Sequence, residues 1–211
     1  MSEQAQSSEN QEQVREWVPK TTLGQLVKDG KITNLKEIFE LGYKIKEPEI
    51  VQTLLPNLKT LLVGVRVVQK QTDAGEKTRF RALVALGDQS GWFGVGHAKS
   101  MNTRTAMDKA IRNALLSIIP VPLGCGSWEC RCGQPHSVPY VLEGKTGSVK
   151  IIIYPAPRGL GIVAAPHIKN IISLAGIKDA WTKTFGMTST DMSMAFAIYD
   201  AFKNASKVIT V

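Results

Sequence analysis

From Thr78 to Pro120 the chain reads TRFRALVALGDQSGWFGVGHAKSMNTRTAMDKAIRNALLSIIP, and this stretch decides the fold. Thr78 to Leu86 reads as a strand, with Arg79 and Arg81 on one face and Phe80, Ala82 and Val84 on the other. Gly87-Asp88-Gln89-Ser90-Gly91 has the residues of a hairpin loop. Trp92 to Ala98 is a further strand, whose Gly94 and Gly96 mark a bulge or a close backbone approach. Ser100, Asn102 and Thr103 are good caps for the helix that follows. In that helix Met107, Ala110, Ile111, Ala114, Leu115 and Ile118 make one apolar face, with Arg104, Asp108 and Arg112 on another. Pro120 and Pro122 stop it. A sheet with one helix packed on it and cations at its edges suits structured RNA, and it holds no catalytic constellation.

Outward from this stretch, the charge points the same way. The 211 residues carry 26 Lys and Arg against 18 Asp and Glu, a net charge of +8. The first sixteen residues hold Glu3, Glu9, Glu12 and Glu16 against Arg15 alone, so the rest is more basic still. Such a field attracts polyanions and speeds encounter with them, although a basic enzyme would carry the same field. No apolar run reaches the roughly 18 residues that a bilayer span needs. The polar, acidic opening does not read as a signal peptide. Three cysteines do not make a disulfide scaffold, and a reducing cytoplasm is expected.

Residues 1–16 are rich in Gln, Ser and Glu and read as a disordered tail. Residues 17–59 read as an N-terminal extension of short helices. One is capped at Thr21 or Thr22, one at Thr33 or Asn34, and one spans Glu49 to Leu55 with Pro56 as its stop. Each is too short to stand alone, so the extension is expected to wrap a neighbouring domain or another molecule. Thr60 to Gln71 is a Val- and Leu-rich strand, turning at Asp73-Ala74-Gly75. Residues 60–122 then form the first domain, and residues 123–137 a Cys- and Gly-rich linker. Residues 138–211 form a second domain in the order ββαβα. Its strands are Val138 to Leu142, Ser148 to Tyr154 and Ile177 to Thr184, the first two joined across Gly144–Gly147. Its helices are Pro166 to Ala175 and one starting near Ser189 or Thr190.

Laid out this way, the chain resembles the universal small-subunit ribosomal protein S-five family over about Trp17 to Asn204. The resemblance is carried by Thr78 to Asp88, Gly91-Trp92-Phe93-Gly94-Val95-Gly96, Ala106 to Asn113, Pro135-His136-Ser137-Val138-Pro139 and Pro155-Ala156-Pro157-Arg158-Gly159-Leu160-Gly161. Trp17-Val18-Pro19-Lys20-Thr21, Leu23-Gly24 and Gly30-Lys31-Ile32 resemble the extension of the archaeal and eukaryotic branch, and the cysteine-rich linker is of the archaeal kind. The resemblance implies an α+β protein of two domains. A double-stranded-RNA-binding-like domain comes first, and an α/β domain with a left-handed crossover follows. It implies a non-enzymatic constituent of the small subunit that binds rRNA near the decoding region and supports accurate translation. The implied neighbours are the S-four, S-three and S-two families and the mRNA entry region, on the cytoplasmic ribosome, with no membrane. A free-standing double-stranded-RNA-binding accessory factor is the alternative.

Three sets of cations are candidate RNA contacts. Lys70, Lys77, Arg79 and Arg81 cluster about Gly75 on a hairpin that can reach a phosphate-lined groove, or that is merely solvated. The paired glycines of the bacterial loop are absent here. Lys99, Arg104, Lys109 and Arg112 lie at the start and on the exposed face of the helix, where free N–H groups favour phosphate. Arg158 stands beside Gly159 and Gly161, so that backbone and guanidinium are expected to approach phosphate together. Gly159 to Ala164 also fits G-x-G-x-x-A, with Asp179 downstream, but Pro155, Pro157 and Pro166 deny the strand–turn–helix context of a dinucleotide site. Gly144-Lys145-Thr146 imitates the end of a P-loop without its first glycine.

Cys125, Cys130, Cys132 and His136 form C-x4-C-x-C-x3-H, four soft ligands that could hold Zn²⁺. The C-x-C step is tighter than in common zinc knuckles. The expected outcome is therefore a linker held by Gly and Pro turns, with scattered sulfurs and His136 pointing elsewhere. His97 and His167 read as packing or RNA-facing, and Trp92 and Trp181 as packing residues.

Overall fold

The computed structural model describes residues 17–130 and 132–209, so the tail expected over residues 1–16 lies outside the described residues. The chain divides into two compact units, one ending at Leu58 and one beginning at Lys59.

In the first unit, helix α1 (Thr22–Lys28) is capped by Thr21, whose hydroxyl accepts from the Gly24 amide at 3.1 Å. Helices α2 (Leu35–Glu40) and α3 (Pro48–Leu54) follow. Leu23, Leu35, Ile38, Ile50 and Val51 are buried. The extension expected to wrap a neighbour is thus compact in its own right, because each short helix contributes one or two apolar side chains to it. Buried Glu47 clamps the entrance to α1, its Oε1 accepting from the amides of Lys20 at 3.0 Å and Thr21 at 2.7 Å.

The second unit holds two four-stranded sheets. In the first, β1 (Lys59–Thr72), β2 (Gly75–Gly87), β3 (Trp92–Ser100) and β4 (Ile119–Pro120) are neighbours in chain order and all antiparallel. Helix α4 (Thr103–Leu116) lies on one face of this sheet. It ends earlier than its apolar periodicity suggests, because Ile119 and Pro120 pair with Phe93 and Trp92 at the sheet edge. An edge strand tolerates the missing proline N–H.

The second sheet has the order β5 (Leu142–Thr146), β6 (Val149–Pro155), β8 (Ala180–Phe185), β7 (Ile162–Val163). Helix α5 (Pro166–Leu174) crosses between the parallel pair β7 and β8, and α6 (Asp191–Ile209) closes the chain. The expected ββαβα order therefore gains the two-residue strand β7, too short to leave a periodic signal. The strand expected over Val138 to Leu142 starts only at Leu142. Ser137 instead bridges back to Gly124, and Pro139 has no N–H to give a ladder. Gly144, expected in the turn, lies inside β5. A Cβ there would meet the Ala197 carbonyl oxygen of α6 at 2.0 Å, so glycine is needed for the helix to close on the strand.

Strand alternation divides the first sheet between two layers. Ala82, Val84 and Leu86, with Gly94 and Gly96 opposite, share the face under α4. Leu83, Ala85, Phe93 and Val95 share the other face, and enter one core with Ile151, Ile153, Ile171, Ala195, Ile198 and Phe202 of the second sheet and its helices. Phe93 and Phe202 meet edge to face at 5.2 Å. A Cβ on Gly96 would sit 2.2 Å from the Ala114 amide nitrogen and 2.4 Å from the Ala110 carbonyl oxygen, both backbone atoms that have nowhere to yield. Gly96→Ala is accordingly expected to lower stability by about 1–3 kcal/mol, as overpacked cores do, read as a fall in the denaturant midpoint. An unchanged midpoint would contradict the tight seating of α4.

Candidate nucleic-acid interface

Beyond its core-packed half, β1–β2 projects as a two-stranded ribbon turning at Asp73-Ala74, where Thr72 pairs with Gly75. Gly75 has φ +106°, a conformation that side chains rarely allow, and the Thr72 hydroxyl donates to its carbonyl at 2.7 Å. This short turn fixes the register. Arg66 faces Arg81, Val68 faces Arg79, and Lys70 faces Lys77. On β3, Lys99 faces Arg81. Because side chains alternate, Arg66, Lys70, Lys77, Arg79, Arg81 and Lys99 all share one face. The opposite face carries Val67 against Phe80, Gln69 against Thr78 and Gln71 against Glu76, with no cation among these pairs. Gln69 also donates to the Glu76 carboxylate at 2.8 Å, on the side away from the cations.

Sequence reasoning singled out five of these six cations, though it put Lys99 at the start of the helix rather than on β3, and it missed Arg66. Its signal was available: continuing the alternation back through the turn puts Arg66 opposite Arg81. Arg66 also lies 3.6 Å from Asp191 at the start of α6, an exposed pair of small energetic worth. Arg81 is half-buried, and its Nε is buried without a hydrogen-bond partner. His97 stands where the cationic face meets the core, edge to face with Phe196 at 5.4 Å. Burial, and then the charges of Arg81 and Lys99, hold its imidazole below the usual histidine range.

Like charges directly opposite one another destabilise a strand pair, and here two such pairs span β1–β2 and a third spans β2–β3. Salt at 0.15 M shortens the screening length to about 8 Å from about 30 Å at 0.01 M. Amide-exchange protection of the ribbon from Gln69 to Thr78 is therefore expected to rise over that range in the free protein. Protection that falls or stays level would show that the repulsion is negligible.

The remaining candidates lie elsewhere. Arg104, Lys109 and Arg112 are exposed on α4, on the layer across the sheet from the cationic face, so the structure does not join them to the ribbon set. Arg158 is exposed in the loop between β6 and β7, but the expectation that glycine amides beside it are free for phosphate is corrected. Gly159 and Gly161 both donate to Asp179 Oδ1, at 3.1 and 2.7 Å. Arg158 thus offers its guanidinium without those amides. Asp179 itself is buried, and α5 begins only at Pro166, which disposes of the dinucleotide pattern. Trp92 is buried as expected. Trp181 is not: it is 45% exposed on the outer face of the second sheet, paired with Tyr154 across the strands.

The cysteine segment also departs from expectation. One ligand atom from each of Cys125, Cys130, Cys132 and His136 lies within 4.8 Å of all the others. The reason is the clamp between Gly124 and Ser137, whose amides and carbonyls exchange hydrogen bonds at 2.9 Å and fold the two ends of the segment together. The Arg158 backbone N–H, then the neighbouring Cys132 and His136, draw the Cys130 thiol down to about 6 against an opposing effect of burial. Burial pushes the Cys125 thiol up.

With this geometry in hand, comparison with known proteins is decisive. The family description "Ribosomal protein S5, N-terminal domain" matches residues 58–122, and "Ribosomal protein S5, C-terminal domain" matches residues 144–211. The chain belongs to the ribosomal protein S5 family. Its relatives named "Small ribosomal subunit protein uS5" include those of Staphylothermus marinus, 49% identical over 96% of this chain and 95% of the relative, and Pyrobaculum aerophilum, 53% identical over 89% and 86%. That of Nanoarchaeum equitans is 50% identical over 92% of this chain and 90% of the relative. The S5 family is one of structural small-subunit constituents and not an enzyme family, which disfavours the free-standing accessory factor. Membership places the chain on the cytoplasmic ribosome. Among the described residues, no helix is long and apolar enough to cross a membrane.

His97 supplies a local probe of this surface. Burial is the larger cause of its lowered range, but phosphate arriving on Arg81 and Lys99 offsets the positive charge that adds to it. The His97 pKa read by NMR is expected below the ordinary value of 6.5 in free protein, and to rise when an rRNA fragment binds. A value that does not move would put the RNA away from this face.

Proposed function

We propose that the cationic face of the β1–β2 ribbon is the principal rRNA contact of this S5 protein. One observation carries the reading: Arg66, Lys70, Lys77, Arg79, Arg81 and Lys99 share one face, while the paired residues on the reverse of the ribbon supply no cation. A polyanion relieves the repulsion among them and brings its own counterion release. The ribbon is also the right kind of element. Two strands give a narrow, extended arm that can follow a groove, with side chains delivered every second residue to the same side. Arg104, Lys109 and Arg112 on α4, and Arg158 in the β6–β7 loop, serve as separate phosphate contacts to other parts of the same RNA. The placement inside the subunit follows the family resemblance: near the decoding region and the mRNA entry region, beside proteins of the S-four, S-three and S-two families. In that position a rigid arm anchored in a two-sheet core holds rRNA geometry and thereby supports accurate decoding.

The test replaces Lys70, Lys77, Arg79 and Arg81 together by Ala and measures binding to a small-subunit rRNA fragment over a range of salt. The slope of log K against log salt is expected to fall by roughly one unit for each phosphate left without its cation. Gln69→Ala with Gln71→Ala, on the reverse face, is expected to leave the slope alone. An unchanged slope in the quadruple variant, or an equal fall in the reverse-face variant, would overturn the reading.

A further inference from the structure

We propose that Cys125, Cys130, Cys132 and His136 form a structural zinc site that sets the conformation of the Arg158 loop. Three sulfurs and one imidazole make a closed, soft donor set of the kind that structural zinc takes, with no position left for substrate. Zinc–sulfur bonds near 2.3 Å and zinc–nitrogen bonds near 2.0–2.1 Å place tetrahedral ligand atoms about 3.5–3.8 Å apart. Cys130 Sγ and His136 Nε2 already lie 3.8 Å apart, and the widest separation in the set is within 4.8 Å. An ion has only to draw the most distant atoms in by about 1 Å.

The surroundings of His136 supply the independent support. Metal-bound histidines hand their second ring nitrogen to a carboxylate or carbonyl, which fixes the ring and its tautomer. His136 does so here. It is buried, and its Nδ1 lies 2.9 Å from Asp179 Oδ2, so Nε2 is left facing the sulfurs. The His136 carbonyl accepts from the Lys178 and Asp179 amides at 2.9 and 3.1 Å, which pins its backbone to the start of β8 as well. On the sulfur side, the Cys125 thiol points at the Cys130 carbonyl at 3.2 Å.

The His136 contact reaches the Arg158 loop through Asp179. Having given Oδ2 to His136, Asp179 takes the Gly159 and Gly161 amides, which follow Arg158 in the chain, on Oδ1. An ion that holds His136 therefore fixes, through Asp179, the loop on which this exposed guanidinium rides. The donor set excludes a hard cation such as Mg²⁺, which takes oxygen ligands.

The test uses the full chain purified with zinc and freed of excess metal. Elemental analysis is expected to find one zinc per chain, released as a thiol reagent modifies three cysteines. Co²⁺ in its place is expected to show the visible bands of a tetrahedral site with thiolate charge transfer. Asp179→Asn keeps all four ligands and is expected to cost about 10- to 100-fold in metal affinity. Since that variant also disturbs the loop, wild-type protein supplies the second reading: chelation is expected to speed amide exchange at Gly159 and Gly161. Substoichiometric metal with thiols that react equally fast with and without added zinc would overturn the proposal. So would a disulfide between any two of the cysteines in native protein, or zinc retained by Cys130→Ser with Cys132→Ser.

Discussion

Everything beyond Lys59 depends on one shared apolar core. Leu83, Ala85, Phe93 and Val95 on the first sheet have no helix of their own to cover them, because α4 occupies the other face. Phe202, Ile198 and Ala195 of α6 and the isoleucines of the second sheet have the complementary need. Burial of apolar area is the main driving force, at about 25 cal/mol per Å². Neither sheet completes that burial alone, so two stretches that match separate family descriptions fold here around a common interior. The backbone joins them too: Gln89, in the β2–β3 loop, donates to the Leu174 carbonyl at the end of α5 at 3.1 Å.

The cationic ribbon is a consequence of that core. The face that packs against α6 at Leu83 and Ala85 is the face that carries Arg81, Arg79 and Lys77 once the strand leaves the interior. One alternation serves both purposes, apolar where covered and cationic where uncovered. The crowding of like charges opposes the pairing of the arm's strands. His97 marks the boundary, with an aromatic neighbour on its core side and Arg81 and Lys99 on the other.

At the other end of the unit, buried Asp179 is a second organising point. A carboxylate with so little solvent must have its oxygens satisfied, and three hydrogen bonds do so: the imidazole of His136 and the amides of Gly159 and Gly161. The loop glycines that suggest an open phosphate cradle are thereby turned inward. The cation beside them keeps its exposure, and the cysteine segment gains a fixed histidine.

Much was legible in the residues themselves. The strand pattern from Thr78 to Leu86, the apolar helix face at Ala110, Ala114 and Leu115 and the Thr21 cap follow from local periodicity and local hydrogen bonding, which a chain carries wherever it goes. So do the family motifs and the basic field. Pairing at a distance was not legible. Gly144 lies in a strand only because α6 closes on it, and Ile162–Val163 becomes a strand only because β8 accepts it. The cysteines looked too tightly spaced to converge, yet the clamp of Gly124 on Ser137 gathers them, and Asp179, forty-three residues beyond His136, aims the imidazole. The elements and the charge they carry were thus set by the order of residues, because both depend on neighbours along the chain. Which distant segments pair, and which sulfur and nitrogen atoms converge, was settled only by the folded molecule, because register and close approach between distant segments have no local pattern to encode them.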